Sequence, residues 1–430
     1  MPTLKFIREN PEAYLENVKK RHNPEKTRLA AETIALDGKW RILLKELDGV
    51  RAEKNILTRE ITAAKSAGKG TKALLEKAKK LPAREKGLEA ETKKAKESLD
   101  GLVQLLPNML DDSVPFGKDD SENVQVGKWG KTGKREFPLE HHGKLAAELG
   151  CADFERAVKI SGSGFFFLMG DLARLEMALE FYALEKLSSK GFIIVQPPLM
   201  MNRIPYAGVT DLSAFEDVLY KIEGQDQFMI ATSEHPLVGM FMGDIIDGEN
   251  LPVKLAGVSS CFRKEIGKHG LDERGLFRVH QFNKIEQVVF CRPDNSRKEH
   301  ELLARNSEEL LEDLEIPYEK VNVCTGDIGE VASKKYDING WSPREGKYIE
   351  LMSCSNCTDY QSSRLGIKFR LKGSMEKELV HTLNNTMVAT ARALRVIIEI
   401  YQTENRTIIV PKALRKFMGG TAEIMPQKRF

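Results

Sequence analysis

The stretch CFRKEIGKHGLDERGLFRVHQFNKIE, residues 261–286, is the most informative part of this sequence. It holds two runs with strand-like alternation, joined over residues 266–275 by a loop rich in glycine and charge. This pattern predicts a β-hairpin. Side chains on a strand alternate between its faces, so Arg263 and Glu265 are expected to point the same way. By the same rule, three side chains share one face of the returning strand: Arg278, Phe282 and Glu286.

The chemistry of that face differs from that of a solvated sheet, which typically scatters Lys, Thr and Ser. Arginine guanidinium groups pair with carboxylate and phosphate oxygens. An aromatic ring offers a surface on which a base can stack, and a carboxylate can hold an ammonium group. Together these residue types indicate a site for a nucleoside triphosphate and an amino acid. The pattern leaves one structural alternative open, a charged hairpin stabilised by a ladder of ion pairs.

The same residues carry a family resemblance. FRKEIG, followed by GLFRVHQFNKIE, resembles motif 2 of the class II aminoacyl-tRNA synthetases, in the form found in seryl-tRNA synthetases. The resemblance extends from LKFIRENPEAY, which starts at residue 4, to VPKALRKFMGG, which ends at residue 420. It implies a serine–tRNA ligase that uses ATP and Mg²⁺. The implied reaction forms seryl-adenylate and pyrophosphate, then transfers serine to the 3′ end of tRNA(Ser), with tRNA(Sec) as a second candidate acceptor.

The composition is that of a globular protein with one basic segment. The chain has 430 residues, 41% of them apolar, which is enough for a large core in two or three domains. Its formal net charge is only +3, but residues 51–100 hold 14 Lys and Arg against 8 Asp and Glu. A basic segment on a near-neutral body indicates a local contact with a polyanion.

The six cysteines do not form the framework of a disulfide-rich secreted domain. Cys354-x-x-Cys357 could be half of a zinc site, but no second close pair accompanies it, so no zinc is expected. The N-terminus is charged, and no run approaches the ~18 apolar residues of a membrane span. We therefore expect a cytoplasmic protein with no membrane contact.

Between about residues 30 and 106 the apolar period becomes that of a coiled coil. Two seams of alternating four- and three-residue steps run from Leu36 to Ala64 and from Leu74 to Leu106. Residues 66–70, SAGKG, separate them, which predicts an antiparallel helical hairpin. Each helix of about 30 residues would reach roughly 45 Å. Pro82 falls inside the second helix and predicts a bend or a broken turn there.

The positive charge of this arm favours RNA, because Lys and Arg contacts with phosphates supply most sequence-independent affinity. A dimerisation coiled coil or a solvated spacer is the alternative on the pattern alone. The resemblance implies that the arm holds the long variable arm of tRNA(Ser), while the acceptor end of the tRNA reaches the catalytic domain. Six lysines around the tip are the candidate contacts: Lys65, Lys69, Lys72, Lys77, Lys79 and Lys80.

We expect an α+β fold, with an N-terminal antiparallel coiled-coil arm and a class II synthetase catalytic domain on an antiparallel β-sheet. The predicted tRNA-binding domain covers residues 1–108 and includes the arm. A linker follows over residues 109–127, and the catalytic domain covers residues 128–430. The strand-like run GFIIVQPPLM, residues 191–200, matches motif 1, which the family uses at its dimer interface, so a homodimer is expected.

The resemblance also assigns roles to single residues around ATP. Arg263 would bridge the serine carboxylate and the α-phosphate, and Glu265 would bind the adenine amino group. Phe282 and Arg392 would cover the two faces of adenine, and Arg278 would bind the terminal phosphates while the loop between Ile266 and Gly275 moves. The implied catalytic residues are Arg263 and Arg392. The implied ATP contacts are Arg263, Lys264, Glu265, Arg278, Val279, Phe282, Glu350, Leu351, Met352, Ser353 and Arg392.

Glu350 and Ser353 match the E-x-x-S segment of the family and would hold Mg²⁺ through ATP, since magnesium prefers oxygen ligands shared with phosphates. A salt-bridged sheet residue is the alternative for Glu350. The implied serine contacts are Thr232, Ser233, Glu234, Arg263, Glu286 and Thr386. A carboxylate would hold the ammonium group, while Glu286 and Thr386 would take the hydroxyl. Such a site disfavours alanine, because its buried polar groups would be left unpaired.

The segment HTLNNTMVATARALRVIIE departs from many bacterial relatives, which have glycine where this chain has Asn385 and Ala391. Two other functions compete with the ligase. One is a related ligase that loads a small amino acid on a non-tRNA acceptor, and the long basic arm argues against it. The other is a non-catalytic tRNA-binding paralogue, against which four intact site residues argue: Arg263, Glu286, Glu350 and Arg392.

Overall fold

The computed structural model describes residues 4–133, 135–265 and 275–428. The chain divides into two compact units, one of residues 2–107 and one of residues 108–430. Each unit has buried apolar residues of its own. Within the described residues, no helix combines the length and the apolar character needed to cross a lipid bilayer.

The first unit consists of helices. The longest begins at a well-formed cap: Asn23 accepts a hydrogen bond from the Lys26 N–H at 3.1 Å, and Pro24 takes the first helical position, where no N–H is needed. The helices of this unit are α1 Leu4–Glu9, α2 Pro11–Lys19, α3 Pro24–Ser66 and α4 Lys72–Gln104.

The two long helices, α3 and α4, pack against each other as the predicted coiled-coil arm. Val50 and Leu57 of α3 form a buried cluster with Leu81 of α4. Two charged residues at seam positions, Lys54 and Glu85, pair across the hairpin at 2.7 Å. The seam thus combines apolar and ionic contacts, and the arm predicted from the heptad pattern is confirmed.

Of the two outcomes expected at Pro82, a bend or a broken turn, the broken turn is absent, because α4 is helical from Lys72 to Gln104 with the proline inside it. Pro82 is exposed, while its neighbour Leu81 is buried against α3. A single proline removes one backbone hydrogen bond. Packing of Leu81 against α3 keeps the helix continuous where that hydrogen bond is missing.

The second unit is built on an eight-stranded sheet. Its strands are β1 Val124–Trp129, β4 Ile193–Val195, β8 Val253–Phe262, β9 Gln281–Cys291, β10 Tyr318–Asn322, β11 Lys334–Ser342, β12 Lys347–Asn356 and β15 His381–Ala389. They lie in the order β1-β10-β11-β12-β15-β9-β8-β4. Neighbouring strands are antiparallel except β4, which runs parallel to β8. The α+β fold with a mainly antiparallel sheet is therefore confirmed.

In the described part of the chain, short strands form four small sheets beside the main one. They are β2 Ala152–Asp153 with β3 Phe167–Leu168, β5 Met200–Asn202 with β6 Gln227–Met229, β7 Ile245–Asp247 with β13 Lys368–Arg370 and β14 Glu378–Leu379, and β16 Ile408–Ile409 with β17 Glu423–Ile424.

Helices surround two buried apolar clusters of this unit, the larger of which is the main core. They are α5 His142–Glu148, α6 Phe154–Ser161, α7 Gly170–Ser189, α8 Arg203–Val209, α9 Leu212–Phe215, α10 Glu234–Gly239, α11 Ser296–Asp313, α12 Tyr360–Leu365 and α13 Thr390–Tyr401. The core lies between the sheet and α7, α11 and α13. These three helices bury apolar side chains at three- and four-residue spacing, as in Leu172, Leu175 and Leu179 of α7.

Residues 109–127, the predicted linker, belong to this second unit and pack on it. Leu110 is buried in a cluster with Val323. The Asn322 side chain donates to the Ser113 carbonyl at 2.8 Å. These contacts satisfy the backbone of a loop that has little regular structure of its own.

Candidate active site

A cleft of about 520 Å³ lies over the main sheet and collects side chains that are far apart in sequence. Three of the predicted residues lie elsewhere: Ser233 is fully buried, Met352 is in the main core, and Lys264 is exposed. The predicted residues that line the cleft are Thr232, Glu234, Arg263, Glu265, Arg278, Val279, Phe282, Glu286, Glu350, Leu351, Ser353, Thr386 and Arg392.

The hairpin at one side of the cleft is formed by β8 and β9, with Cys261 opposite Phe282. The Arg263 N–H donates to the His280 carbonyl at 3.0 Å, one residue beyond the end of β8. Arg263 then places its guanidinium 5.4 Å from the centre of the Phe282 ring. The predicted hairpin is confirmed, and it brings these two side chains together.

The strand alternation predicted for Glu265 is wrong, because β8 ends at Phe262 and Glu265 has a φ of +46°. A left-handed residue turns the chain out of the strand. Glu265 nevertheless lines the cleft, where it accepts a hydrogen bond from Arg278 Nε at 2.9 Å. Arg278 also lies before its strand, which begins at Gln281. The motion predicted for the loop concerns residues 266–274, which lie outside the described residues.

One end of the cleft is a small polar pocket. Thr386 and Glu286 are direct partners across β15 and β9, and the threonine hydroxyl donates to the carboxylate at 3.3 Å. Lys284 pairs with the same Glu286 oxygen at 2.6 Å. Both partners of this ion pair are almost fully buried, so its geometry is held by the sheet.

Glu234 is the second carboxylate of this pocket, at the start of α10. It accepts hydrogen bonds from Gln361 at 2.9 Å and from Asn384 at 3.0 Å. Burial raises the pKa of Glu234 to about 7, and the negative charge of Glu286 adds to the rise. A cation that entered the pocket would relieve both effects. The arrangement is therefore suited to an ammonium group.

A β-bulge shapes the other end of the cleft. Ser353 pairs with Asp337 and Met352 with Ile338, but Asn339 pairs with Glu350, so Leu351 is an extra residue. On a regular strand, residues three apart point to opposite faces. The extra residue reverses that alternation. Glu350 and Ser353 therefore both line the cleft.

Arg392, near the start of α13, meets Glu350 at this end. Its guanidinium lies 3.3 Å from the Glu350 carboxylate and 3.0 Å from the Glu350 carbonyl. Protein groups surround Glu350, but its side chain is still 49% exposed, toward the cleft. Burial opposes its ionisation, but the charges of Arg392 and Lys335 outweigh burial and lower the pKa of Glu350.

Oxygen ligands for a magnesium ion are gathered beside Glu350. The Asp337 carboxylate pairs with Lys335 at 3.2 Å, and its buried Oδ1 has no hydrogen-bond partner among the described residues. Burial raises the pKa of Asp337 to about 6. Asp337 does not line the cleft, but the Glu350 carboxylate and the Ser353 hydroxyl do, and both are hard oxygen donors of the type that Mg²⁺ shares with phosphates. The residues therefore fit the implied ion.

Asn385 and Ala391 have different surroundings. The fully buried Asn385 side chain donates to the Leu303 carbonyl and to the Ser307 hydroxyl of α11. It therefore fastens β15 to the helix behind the sheet, a contact that glycine could not make. Ala391 lies in the cleft wall beside Arg392.

The cysteines are free and buried. Burial raises the pKa of both Cys354 and Cys357. Cys354 lies near the His300 carbonyl, and Cys357 accepts a hydrogen bond from Asn384 at 3.4 Å. Across the described ranges, no group of three or more His, Cys, Asp or Glu residues is arranged to hold a metal ion by itself.

Family models match both units of the chain. The model of the seryl-tRNA synthetase N-terminal domain matches residues 1–110. The model of the tRNA synthetase class II core domain (G, H, P, S and T) matches residues 219–401, which hold most of the cleft. A serine–tRNA ligase of Methanocella arvoryzae is 49% identical over 421 residues, covering 98% of this chain and 99% of the relative.

The chain belongs to the seryl-tRNA synthetase family. Solved structures of the family share the whole fold. A crystal structure of seryl-tRNA synthetase from Pyrococcus horikoshii, complexed with ATP, is 43% identical, has a TM-score of 0.96, and both chains are covered completely. The cytoplasmic serine–tRNA ligase of Naegleria fowleri, in complex with AMP, is 31% identical, with a TM-score of 0.89 and 97% of each chain covered.

Several polar residues around this synthetase cleft were not predicted. Lys284 could have been found, since it lies two residues before Glu286 on the same strand and shares its face. Lys335 and Asp337 lie on β11, which pairs with β12 across the turn at residues 343–346, but no motif singled out that strand. Gln361, which supports Glu234, lies on α12, outside the sheet.

Proposed function

We propose that this member of the seryl-tRNA synthetase family is a serine–tRNA ligase. Serine and ATP would react in the cleft to form seryl-adenylate and pyrophosphate, and the 3′-terminal hydroxyl of tRNA(Ser) would then take the seryl group. One observation carries the proposal. A pocket for an ammonium and a hydroxyl group lies in the same cleft as a set of cationic and oxygen groups suited to a triphosphate.

Serine would bind at the polar pocket. The ionised Glu234 would hold its ammonium group, together with the Thr232 hydroxyl. Glu286 and Thr386 would pair with the serine hydroxyl, because both side chains line the cleft and lie 3.3 Å from each other. Alanine would leave these buried polar groups unpaired, which is the costly outcome for a site of this kind.

ATP would lie along β9 toward Arg392. Adenine would stack between Phe282 and Arg392, and Glu265 would accept from its amino group once Arg278 turns to the terminal phosphates. The ATP complex of the Pyrococcus horikoshii relative supports this choice of nucleotide. Other cleft residues, Val279 and Leu351 among them, would make apolar or backbone contacts.

Arg263 would act at the reacting atoms. Arg263 lies beside Phe282, and its Nε donates to the Ala231 carbonyl at 3.3 Å. This position would put its guanidinium between the proposed serine and ATP regions of the cleft. There it would neutralise the serine carboxylate and the α-phosphate as they approach. The step needs positioning and fixed positive charge rather than an acid–base side chain. Mg²⁺, held by Glu350 and Ser353 with Asp337 beside them, would supply further charge neutralisation at the phosphates.

The first domain, residues 1–108, would bind tRNA(Ser) through its long variable arm. The six lysines predicted for this contact are all exposed around the tip of the arm. This domain argues against a ligase that loads a non-tRNA acceptor, because such an enzyme would have no use for it. Transfer to tRNA(Sec) would follow the same chemistry.

The working unit would be a homodimer. Large apolar side chains are exposed on α7 and on the edge strand β4 of the main sheet, among them Phe181 at 61% and Ile193 at 62%. An apolar surface beside a free strand edge is typical of an interface. A second copy of this chain would cover it.

Serine-dependent exchange of pyrophosphate into ATP tests the activation step. We expect exchange with serine. With alanine and glycine, kcat/KM should be at least about 100-fold lower, because both lack the hydroxyl that such a site selects strongly. Threonine is excluded by size, a weaker filter. Exchange that did not depend on serine would contradict the proposal.

A further inference from the structure

A buried histidine outside the predicted site supports the wall of the cleft. His142, the first residue of α5, is fully buried, and its Nε2 accepts a hydrogen bond from the Leu276 N–H at 3.2 Å. Leu276 lies between Gly275, where the described chain resumes after the hairpin loop, and Phe277, which lines the cleft. The histidine thus holds the backbone at the returning end of that loop.

The fit at this contact is close. Gly275 has a φ of +86°, and a Cβ built on it would lie 2.9 Å from His142 Nε2 and 3.3 Å from the Gly143 Cα. A side chain at position 275 would therefore strain the backbone and displace the imidazole. Glycine lets the chain approach the histidine closely enough for the next N–H to be bonded.

The opposite side of the imidazole faces a buried ionic network. Because Nε2 accepts, the ring hydrogen lies on Nδ1, which is 3.9 Å from Glu399 Oε1. Glu399 pairs with Arg395 at 2.9 Å, and both side chains have almost no solvent exposure. Arg395 also pairs with Glu345. Buried charges of this kind are costly to unpair, so the network holds one arrangement.

Phe277 connects this network to the proposed ATP site. The Arg395 guanidinium lies 4.3 Å from the centre of the Phe277 ring, and the Arg392 guanidinium lies 5.2 Å from it. The ring is thus held between a buried arginine and the arginine proposed to contact ATP. Its position depends on the backbone of Leu276, which His142 holds.

We propose that His142 is a positioning residue for ATP, which acts through Leu276 and Phe277 on Arg392. The inference rests on the proposed function, since it concerns the nucleotide of that reaction. It adds a residue from α5, outside every predicted contact. Loss of the Nε2 acceptor should move Phe277 and weaken ATP binding, while the serine pocket on β9 and β15 keeps its geometry.

Two substitutions separate the hydrogen bond from the packing of the ring. His142→Gln carries a carbonyl oxygen at about the reach of Nε2, whereas His142→Asn carries one only at the reach of Nδ1. In pyrophosphate exchange we expect His142→Asn to raise the KM for ATP about tenfold, as for the removal of one buried acceptor. We expect the KM for serine to change less than about threefold, and His142→Gln to restore the KM for ATP to within about threefold of the unsubstituted chain.

A third variant, His300→Gln, controls for the removal of any buried histidine. His300 is 1% exposed, its Nε2 lies 3.0 Å from the Cys354 carbonyl, and it does not line the cleft. Its Tm should fall, and because its bond to the Cys354 carbonyl supports the strand beside Ser353 rather than Phe277, its KM for ATP should rise less than that of His142→Asn. Equal values of the KM for ATP in His142→Asn and His142→Gln would overturn the proposal.

Phe277→Leu decides the matter if His142→Asn does not fold, as judged by circular dichroism. It keeps apolar volume but removes the ring from both arginines, so the KM for ATP should rise by a similar factor. An unchanged KM for ATP in this variant would also overturn the proposal. If the unsubstituted chain shows no serine-dependent exchange, the proposed function fails instead.

Discussion

At the scale of single residues, the cleft depends on charged groups that the fold holds away from water. Glu286 and Lys284 are paired inside the sheet, and Glu234 is surrounded by donors rather than by a cation. A carboxylate buried without a cation is costly when ionised. The pocket therefore favours a positively charged ligand. This preference can be tested together with the hydrogen bond that the Thr386 hydroxyl donates to Glu286.

Thr386→Ala should impair serine more than ATP. It removes the hydroxyl that donates to Glu286, a charged acceptor, at a cost of about 1.5–3 kcal/mol. In pyrophosphate exchange, kcat/KM for serine should fall roughly 10- to 100-fold, while the KM for ATP changes less than about threefold. Thr386→Ser keeps the hydroxyl and is the matched control. Equal losses for serine and ATP would exclude this role.

Serine binding should depend on pH through Glu234. Its pKa is raised to about 7, so the carboxylate gains a proton as the pH falls from 8 to 6 and can no longer hold an ammonium group. We expect the KM for serine to rise by about tenfold over that range, and Glu234→Gln to bind weakly at every pH. A pH-independent KM for serine in the unsubstituted chain would refute this.

The same pKa predicts the sign of a stability effect. Because the folded-state pKa of Glu234 lies above its ordinary value of 4.5, its contribution is fully present below about pH 4.5 and is lost as the pH rises through about 7. The Tm of the unsubstituted chain should therefore fall relative to that of Glu234→Gln as the pH rises from about 4.5 to 7, and the difference should level off above pH 7. A constant difference in Tm would contradict the burial argument.

At the scale of elements, the regular helices and strands were predictable from their apolar periods, and the local irregularities in the strands were not. The heptad seams gave α3 and α4, and the alternation around Phe282 gave β9. The left-handed Glu265 was missed, and so was the bulge at Leu351. Glu265 lies just beyond the end of β8, and the bulge lies within the pair formed by β11 and β12, so both depend on details of strand geometry that the alternation of side chains does not show. The bulge matters most, since it turns Glu350 and Ser353 to the same face.

The helical arm should bind tRNA through the lysines of its tip. Lys65, Lys69 and Lys72 are exposed there, and replacing them with glutamine should weaken tRNA binding. The slope of log K against log salt should also flatten, by up to about 0.9 for each phosphate that the arm no longer neutralises. Two lysines nearer the base of α3, Lys39 and Lys45, are the control. Filter binding at several salt concentrations measures the slopes, and an unchanged slope in the tip variant would count against this role of the arm.

At the scale of the whole molecule, two units of different construction have separate tasks. The first unit is a narrow helical hairpin, which presents a long, charged surface to solvent. The sheet of the second unit carries a cleft lined by polar and charged side chains. The family was evident from the motifs, and 13 of the 30 residues that line the cleft followed from it residue by residue. Lys335, Asp337 and His142 did not, because no motif singles out β11 and because α5 is distant in sequence from the hairpin of the cleft.

The homodimer can be tested by placing a charge on its proposed interface. Phe181→Lys puts an ammonium group on the exposed apolar face of α7 and β4. Sedimentation at micromolar concentration should show a dimer for the unsubstituted chain and a monomer for this variant, because a buried unpaired charge opposes association. Met375→Lys, at a position 90% exposed, should stay dimeric. A stable monomer of the unsubstituted chain would contradict the dimer.

The proposed serine–tRNA ligase activity is tested most directly by ATP-dependent charging of unfractionated tRNA with labelled serine, in parallel with alanine, threonine and glycine. We expect serine to be transferred selectively, and Arg263→Ala to abolish the transfer because it removes the positive charge at the reacting atoms. Charging with none of the four amino acids, under conditions in which the protein is folded and binds ATP, would contradict it.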